Sequence, residues 1–204
     1  MDRLDGLIEE IKSLERELVA ELQKKQDEYL YIIKGKKIQF EEETRRYHRT
    51  LSTRLQKYVG QAPIRHLVTA PLIWSCLVPA LMLDLVVSVY HSICFRVYRI
   101  PLVRRADYIV IDREALGYLN AIEKLNCVYC GYFSGLINWV QEIAARTEQY
   151  WCPIKHARKL TTIHSRYHKF LEYGAGDQYR ESFEQLRGDF RDLGNRGAKP
   201  KQSS

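Results

Sequence analysis

Four residues in the second half of the chain have the types and spacing of metal ligands. Cys127 and Cys130 are three positions apart, and Cys152 and His156 are four positions apart, so each pair would lie on one face of a helix. Soft thiolate and imidazole ligands in a Cys3His set suit tetrahedral zinc. We therefore expect Cys127, Cys130, Cys152 and His156 to converge on one zinc ion, with their two helices antiparallel.

The same four residues also fit other chemistry. An iron–sulfur cluster takes cysteine ligands and tolerates a histidine. A Cys-x-x-Cys pair can exchange disulfides, although the βαβ pattern typical of thioredoxin-like proteins is missing from this sequence. Free cysteines are also commonly buried as small apolar side chains. The sequence has no glycine-rich phosphate loop, nucleophile elbow or HExxH motif, so whether the protein is an enzyme is left open.

One long apolar run interrupts a chain whose mean hydropathy over its full length is -0.37, on the polar side. Between Arg65 and Arg96 the only charge is that of Asp84, and a helix that crosses a bilayer needs about 20 apolar residues. We therefore predict a membrane segment at residues 64–100. Because arginines stand at both ends, the positive-inside rule does not orient it, and a re-entrant or in-plane segment remains an alternative to a crossing.

Two features inside this run affect how it would sit in a membrane. Pro71 and Pro79 each remove a helix hydrogen bond and tend to kink the helix. A carboxylate at membrane depth is costly, so Asp84 is expected to have a partner. His91 is seven residues further on and lies on nearly the same face, which makes it the predicted partner.

The charge balance favours lipid as a partner over nucleic acid. The formal charge is +7 and the isoelectric point is about 9.1, but the sequence has no zinc finger and no aromatic RNA-binding signature. Basic residues beside an apolar segment attract anionic headgroups. The residues close to the apolar run are Arg49, Arg54, Lys57 and Arg65 before it, and Arg96, Arg99, Arg104 and Arg105 after it.

The N-terminal residues repeat at coiled-coil spacing. Leu4, Leu7, Ile11, Leu14 and Leu18 follow a 3-4 pattern with charged residues on the other faces. This predicts a helical coiled-coil-like arm over residues 1–60 that binds another helix of the chain, a second copy or a protein partner. Gly35 is the expected break in this arm. The start of the sequence has no secretory signal pattern, so we expect the arm to be cytoplasmic.

The remainder of the chain is predicted to be a small helical domain over residues 104–192. Asp112 is the expected N-cap of its first helix, and residues 155–172 are expected to form a basic helix. Residues 193–204 lack apolar periodicity and are predicted to be a disordered tail. The predicted fold class is therefore mainly α, with an N-terminal arm, one transmembrane or re-entrant helical segment and a C-terminal helical Cys/His domain.

Three segments of the chain resemble a family of uncharacterised bacterial membrane proteins. They are RRADYIVIDR at 104–113, LNAIEKLNCVYCGY at 119–132 and ARTEQYWCPIKHA at 145–157, and the resemblance covers about residues 64–173. At 132–135 this chain has Tyr-Phe-Ser-Gly where the family has Tyr-Ala-Asn-Gly. The resemblance implies a bacterial origin and a membrane location, and it implies no reaction. We expect that membrane to be the bacterial inner membrane.

Together these patterns favour a membrane-anchored helical protein whose Cys3His zinc site has a structural or protein-interaction role. The alternative is a membrane redox component that binds an iron–sulfur cluster or uses a thiol pair.

Overall fold

The chain is mainly helical, as predicted, and the computed structural model describes residues 3–29, 31–34 and 37–194. The helices are α1 (Arg3–Glu28), α2 (Glu42–Leu51), α3 (Leu55–Gln61), α4 (Ile64–Ser75), α5 (Leu77–Val97), α6 (Ala121–Trp151), α7 (Gly176–Gly188) and α8 (Arg191–Gly194), with strands β1 (Tyr31–Lys34) and β2 (Lys37–Phe40). The chain divides into two compact units, Met1–Pro63 with Ile111–Val128 and Ile64–Val110 with Tyr129–Ser204.

In the first unit, α1 is one helix of 26 residues. The predicted seam residues Ile11, Leu14 and Leu18 are each more than half exposed in the single chain. The side chains of Leu4 and Leu7 lie outside the described residues. A coiled-coil partner for this seam therefore stays a prediction.

The arm is not helical throughout, because β1 and β2 form an antiparallel hairpin in which Tyr31 pairs with Phe40 and Ile32 with Gln39. Isoleucine and the aromatic residues favour strands, since their side chains pack well on a pleated surface. Phe40 then contacts the His48 ring of α2, with ring centroids 5.0 Å apart. The break predicted at Gly35 lies outside the described residues.

In the second unit, the apolar run forms two helices in succession, α4 and α5. They are interrupted at Cys76, whose amide donates to the carbonyl of Ile73 in a tighter turn. The cause is Pro79, which has no N–H to donate to the carbonyl of Ser75 and whose ring crowds that carbonyl. Pro71, by contrast, lies within α4, which continues past it.

Helix α5 ends in a reversal of the chain at Arg99. The Ile100 amide donates to the Phe95 carbonyl at 2.8 Å, and the Arg99 amide donates to the Arg96 carbonyl at 3.3 Å. These two bonds define a Schellman motif, in which glycine is the usual residue at the left-handed position. Here that position is taken by Arg99, with φ 57°. The reversal sends the next segment back along the helix it has just left.

Helix α6 begins later than predicted, with Asn120 and not Asp112 as its cap. The Glu123 amide donates to Asn120 Oδ1 at 3.0 Å, and the Asn120 amide donates to Glu123 Oε2 at 2.8 Å. This reciprocal pair is a capping box and satisfies two amides at the helix start. Asp112 instead precedes a short 3-10 turn at Arg113–Ala115. From Ala121 the helix continues unbroken for 31 residues.

The segment after α6 is mostly irregular, so the prediction of a helix at 155–172 is wrong. Pro153 closes α6, the chain then makes a parallel bridge between Ile154 and Leu171, and one 3-10 turn occurs at Tyr167–Lys169. Of the predicted tail, Leu193 belongs to α8 and packs against the core, whereas residues 195–204 lie outside the described residues.

Candidate functional site

Helix α5 has one packed face and one exposed face. The packed face carries Ala80 and Phe95, which join Leu136 and Trp139 of α6 in the buried core of the second unit. Val103, from the segment that returns along α5, belongs to the same core. This packed face also carries the polar residues Asp84, Ser88 and His91.

Asp84 lies on the packed face and its carboxylate has three side-chain partners. The guanidinium of Arg105 binds both carboxylate oxygens, the Tyr132 hydroxyl donates at 2.7 Å, and the Ser88 hydroxyl donates at 3.1 Å. The Arg105 guanidinium also lies over the Trp139 ring, 5.2 Å from its centroid. The charge of Asp84 is thus balanced from within the unit, and the carboxylate is largely screened from the exposed face.

His91 is not the partner of Asp84, which corrects the sequence-based prediction. Its Nε2 atom accepts a hydrogen bond from the Val103 amide at 2.9 Å. The imidazole packs edge-on against Phe95 and Trp139. His91 therefore satisfies the backbone of the returning segment, while Trp139 Nε1 donates to the Val103 carbonyl at 3.3 Å.

A second polar cluster lies further along α6. Arg146 donates to Glu142 at 2.8 Å one turn earlier, and it also donates to the carbonyls of Pro101 at 2.8 Å and Leu102 at 3.3 Å. The other oxygen of Glu142 accepts from the Ser165 hydroxyl at 2.6 Å. Because Arg146 and Glu142 are buried, each needs these partners to offset its desolvation. The cluster anchors non-helical backbone to α6.

A third polar cluster joins the end of α6 to the C-terminal helices. Arg166 is almost fully buried, pairs with Asp192, and binds Gln149, whose amide donates to the carbonyls of Leu186 and Asp189. Burial alone would raise the pKa of Asp192, but hydrogen bonds and charge from Arg166 and Lys169 outweigh it and hold that pKa well below its usual range. This cluster fixes α8 against α6.

The exposed face of the apolar run is large and nearly free of charge. The stretch Ile64–Val97 is long and apolar enough to span a membrane, and only 6% of its most apolar window is buried within the protein. The apolar side chains that are more than half exposed on α5 are Val78, Leu81, Met82, Leu85, Val86, Val89, Ile93 and Val97. A soluble monomer rarely exposes a contiguous apolar surface of this size.

The structure does not bring together the four predicted metal ligands. Cys130 lies within α6 and Cys152 directly follows its end, so the continuous helix separates them by about 30 Å at 1.5 Å per residue. Sulfurs that share one zinc lie within roughly 4 Å of each other, given Zn–S bonds of about 2.3 Å. Within the part of the chain that is described, no three His, Cys, Asp or Glu side chains group so as to hold a metal ion.

The local surroundings of these residues differ from one to the next. Burial, and after it the charge of Glu148, raises the pKa of the Cys152 thiol. The His156 ring stacks on that of Tyr167, with centroids 6.3 Å apart. Cys127 and Cys130 do share one side of α6, one turn apart, as their spacing predicts.

Comparisons with known proteins found no significant similarity. No protein-family model matches the chain, and neither the curated proteins nor the solved structures contain a significant match.

Sequence reasoning missed the residues that surround Asp84 and those that fix the C-terminal helices. The sequence marks Arg105 only as one of the basic residues that flank the apolar run, and no pattern singles out Tyr132 or Arg166. Ser88 was a usable signal, since a hydroxyl four residues after a carboxylate lies on the same helix face. No comparable local signal points to Arg105, because it reaches Asp84 only after the chain reverses at Arg99.

Proposed function

We propose that this protein is a membrane-anchored helical protein whose helix α1 binds a second copy of the chain or another protein. The observation that carries the proposal is the exposed apolar surface of Ile64–Val97, of which so little is covered by the rest of the chain. Burying one large apolar side chain stabilises by about 1.5–3 kcal/mol, so leaving many of them in water is strongly unfavourable. Lipid is the solvent that removes this cost.

The core helix of a soluble protein is the competing explanation for an apolar run. Such a helix would be covered on most sides, whereas Val78, Met82, Leu85 and Val86 are each 62–67% exposed. These residues also occupy one continuous side of α5, and the single charge of the run faces the opposite way, toward Arg105. This separation of apolar and charged sides supports a lipid-facing surface.

We place the protein at the bacterial inner membrane with α1 on the cytoplasmic side. The support is the set of exposed basic residues beside the run, including Arg65, Arg96 and Arg99, because the cytoplasmic leaflet carries anionic lipids that attract such side chains. The resemblance to bacterial membrane proteins points to the same location. Helix α1 supplies the interaction role, through its exposed apolar seam.

Extraction of membranes with alkaline carbonate tests the anchoring. The wild-type chain, expressed in a bacterium, should stay in the pellet. Replacing Val78, Met82 and Val86 together by serine should move it to the supernatant. The matched control replaces Ile11, Leu14 and Leu18 of α1 by serine; this removes the same number of exposed apolar residues and should leave the protein in the pellet. Release of the wild type by carbonate would contradict the proposal.

A zinc site on Cys127, Cys130, Cys152 and His156 remains a proposal from the sequence, with the Cys127 and Cys130 pair as its only geometric support. For one chain to supply all four ligands, α6 would have to break between Cys130 and Cys152. Elemental analysis of anaerobically purified protein tests it. One zinc per chain that is lost in Cys130→Ser would support the zinc site. Brown protein that contains iron would favour an iron–sulfur cluster. If the protein contains neither metal, the cysteines either exchange disulfides or are buried thiols.

A further inference from the structure

We propose that α5 lies in the plane of one membrane leaflet, with its exposed side in an anionic lipid surface, and does not cross the bilayer. The inference rests on the proposed membrane anchoring and specifies its geometry. Length alone permits a crossing, since the 21 residues of α5 measure about 31 Å, close to the thickness of the hydrocarbon core. The segment that packs along the other side of α5 argues against a crossing.

Non-helical chain lies against the middle of α5. The segment that follows Arg99 places the Val103 amide on His91 and the Arg105 guanidinium on Asp84. Asp84 is the eighth and His91 the fifteenth of the 21 residues of α5, so each would be about 10 Å inside the hydrocarbon if the helix crossed it. Backbone without regular hydrogen bonding is not found facing lipid at that depth.

Charged side chains accompany this segment. Arg104 and Asp107 stand on either side of Arg105, and their side chains are 68% and 55% exposed. In a crossing they would meet lipid near the bilayer centre, where charged groups are costly unless they are enclosed by protein or reach water. With α5 in the plane of the membrane, the same residues face the aqueous side, and both members of this ion pair stay out of the hydrocarbon.

The opposite side of α5 fits an in-plane position. The exposed residues run along the full length of the helix, from Val78 to Val97, and the only polar ones among them are Ser92 and Arg96 in its last two turns. An interfacial helix buries its apolar face about 5–10 Å below the headgroups and keeps a polar face toward water. In this chain the side of α5 that would face water is covered by the rest of the second unit.

Basic residues favour anionic lipid as the occupant of this surface over a second copy of the chain. Arg65 near the start of α4 and Arg96 and Arg99 at the end of α5 are all exposed. Arg99 is notable because its left-handed φ of 57° is a conformation that glycine adopts without steric cost. An arginine at this position places a positive charge where the apolar helix ends, at headgroup level for an in-plane helix.

Depth measurements along α5 test the geometry. Single cysteines are placed at Val78, Val89 and Val97 of the full chain, after the five native cysteines are changed to alanine, and are spin-labelled. The protein is then bound to vesicles of phosphatidylglycerol mixed with phosphatidylethanolamine. An in-plane helix gives shallow depths at all three positions, with Val89 no deeper than Val78, which lies on the same side of the helix. A crossing gives the greatest depth at Val89 and shallow depths at the two ends, which would overturn the inference and leave the anchoring intact.

A second measurement avoids changing the native cysteines. Epitope tags at the two termini of the full chain should both be accessible from the same side of sealed membrane vesicles, and accessibility from opposite sides would overturn the in-plane position. If the protein fails to bind vesicles and forms dimers through α5 instead, both this inference and the membrane anchoring are overturned.

The variant Arg99→Gly tests the lipid contact with little risk to folding, because glycine suits the local backbone. We expect its affinity for the phosphatidylglycerol vesicles to fall about fivefold, as for the loss of one arginine at the surface, and to change little on phosphatidylcholine alone. Arg180→Gln on α7, which also removes one exposed arginine, is the matched control and should bind as the wild type does. Equal losses in both variants, or none in Arg99→Gly, would overturn the role of Arg99.

Discussion

The guanidinium of Arg105 binds both carboxylate oxygens of Asp84, across 21 positions of sequence. The pair joins the segment that follows Arg99 to the middle of α5, on the side of the helix that packs against α6. The opposite side of α5 therefore presents no carboxylate to its surroundings. One ion pair thus both attaches a non-helical segment and leaves a continuous apolar surface exposed.

We expect Asp84→Ala to lower the free energy of unfolding by about 1–3 kcal/mol, since it leaves the partly buried donors of Arg105, Tyr132 and Ser88 without their acceptor. Urea unfolding in mild detergent, followed by circular dichroism, measures the loss. Asp107→Ala is the matched control: its ion pair with Arg104 is exposed and 3.8 Å long, and such pairs contribute at most about 1 kcal/mol. Equal losses in the two variants would contradict the importance of Asp84.

Gly135→Ala should also destabilise the protein, by about 1–3 kcal/mol. A Cβ atom at Gly135 would lie 2.6 Å from the Tyr108 carbonyl oxygen and 2.8 Å from the Ile109 Cα, and neither backbone atom can move without shifting the segment. Gly60→Ala in α3 provides the comparison, because nothing lies within 4 Å of its added Cβ. That variant should be neutral or slightly more stable, as alanine is the better helix former. An unchanged Gly135→Ala protein would show that the close contact does not persist in solution.

Acid should weaken the cluster around Asp192. Its pKa in the folded chain lies well below the value of about 3.9 for an unfolded aspartate, so its interactions with Arg166 and Lys169 stabilise the fold above that pH and are lost as the pH falls toward the folded pKa. We expect the unfolding free energy of the wild type to drop below about pH 4, and to drop less steeply in Asp192→Asn. Urea titrations at a series of pH values measure both slopes. Glu181→Gln, on α7, is the control, and its unfolding free energy should fall with pH as steeply as that of the wild type. If the unfolding free energy of Asp192→Asn also falls as steeply as that of the wild type, Asp192 is not the source of the acid sensitivity.

The α1 seam should control association of the chain. Replacing Leu14 and Leu18 together by aspartate puts two charges on the exposed apolar stripe, and we expect the complexes formed by the wild type in mild detergent to dissociate. Sedimentation equilibrium of the full chain reports the mass. Ser13→Asp with Ala20→Asp adds the same charge on the far side of α1 and should leave association unchanged. A wild type that is monomeric at every concentration would rule out self-association and leave only a different protein as partner.

Elements whose signal lies within one stretch of chain were predictable. The apolar run is an example, because its composition differs from both flanks over its whole length. The capping box Asn120-x-x-Glu123 is also a local signal, and it identifies the start of α6 better than Asp112 does. The β1–β2 hairpin was missed because its two strands are only four residues each, too short for their alternation to compete with the longer helical pattern around them.

The spacing of the predicted metal ligands does not tell whether the two ligand pairs come together in space. The spacing within each ligand pair placed Cys127 and Cys130 correctly on one side of a helix, but spacing does not tell whether a turn follows. No proline occurs between Cys130 and Pro153, and no glycine after Gly135 until the helix has ended. Those absences indicate one continuous helix, which keeps the two ligand pairs far apart.

The position of Asp84 in the sequence has a consequence for how the chain is made. Its three partners are synthesised in the order Ser88, Arg105 and Tyr132, so the carboxylate leaves the ribosome well before the cation that neutralises it. While α5 is newly made, it carries an unbalanced charge that opposes entry into lipid. Only after Arg105 has emerged and the chain has folded back is the carboxylate of Asp84 neutralised. Membrane attachment should therefore follow the folding of this segment, so that a nascent chain that ends before Arg105 attaches poorly.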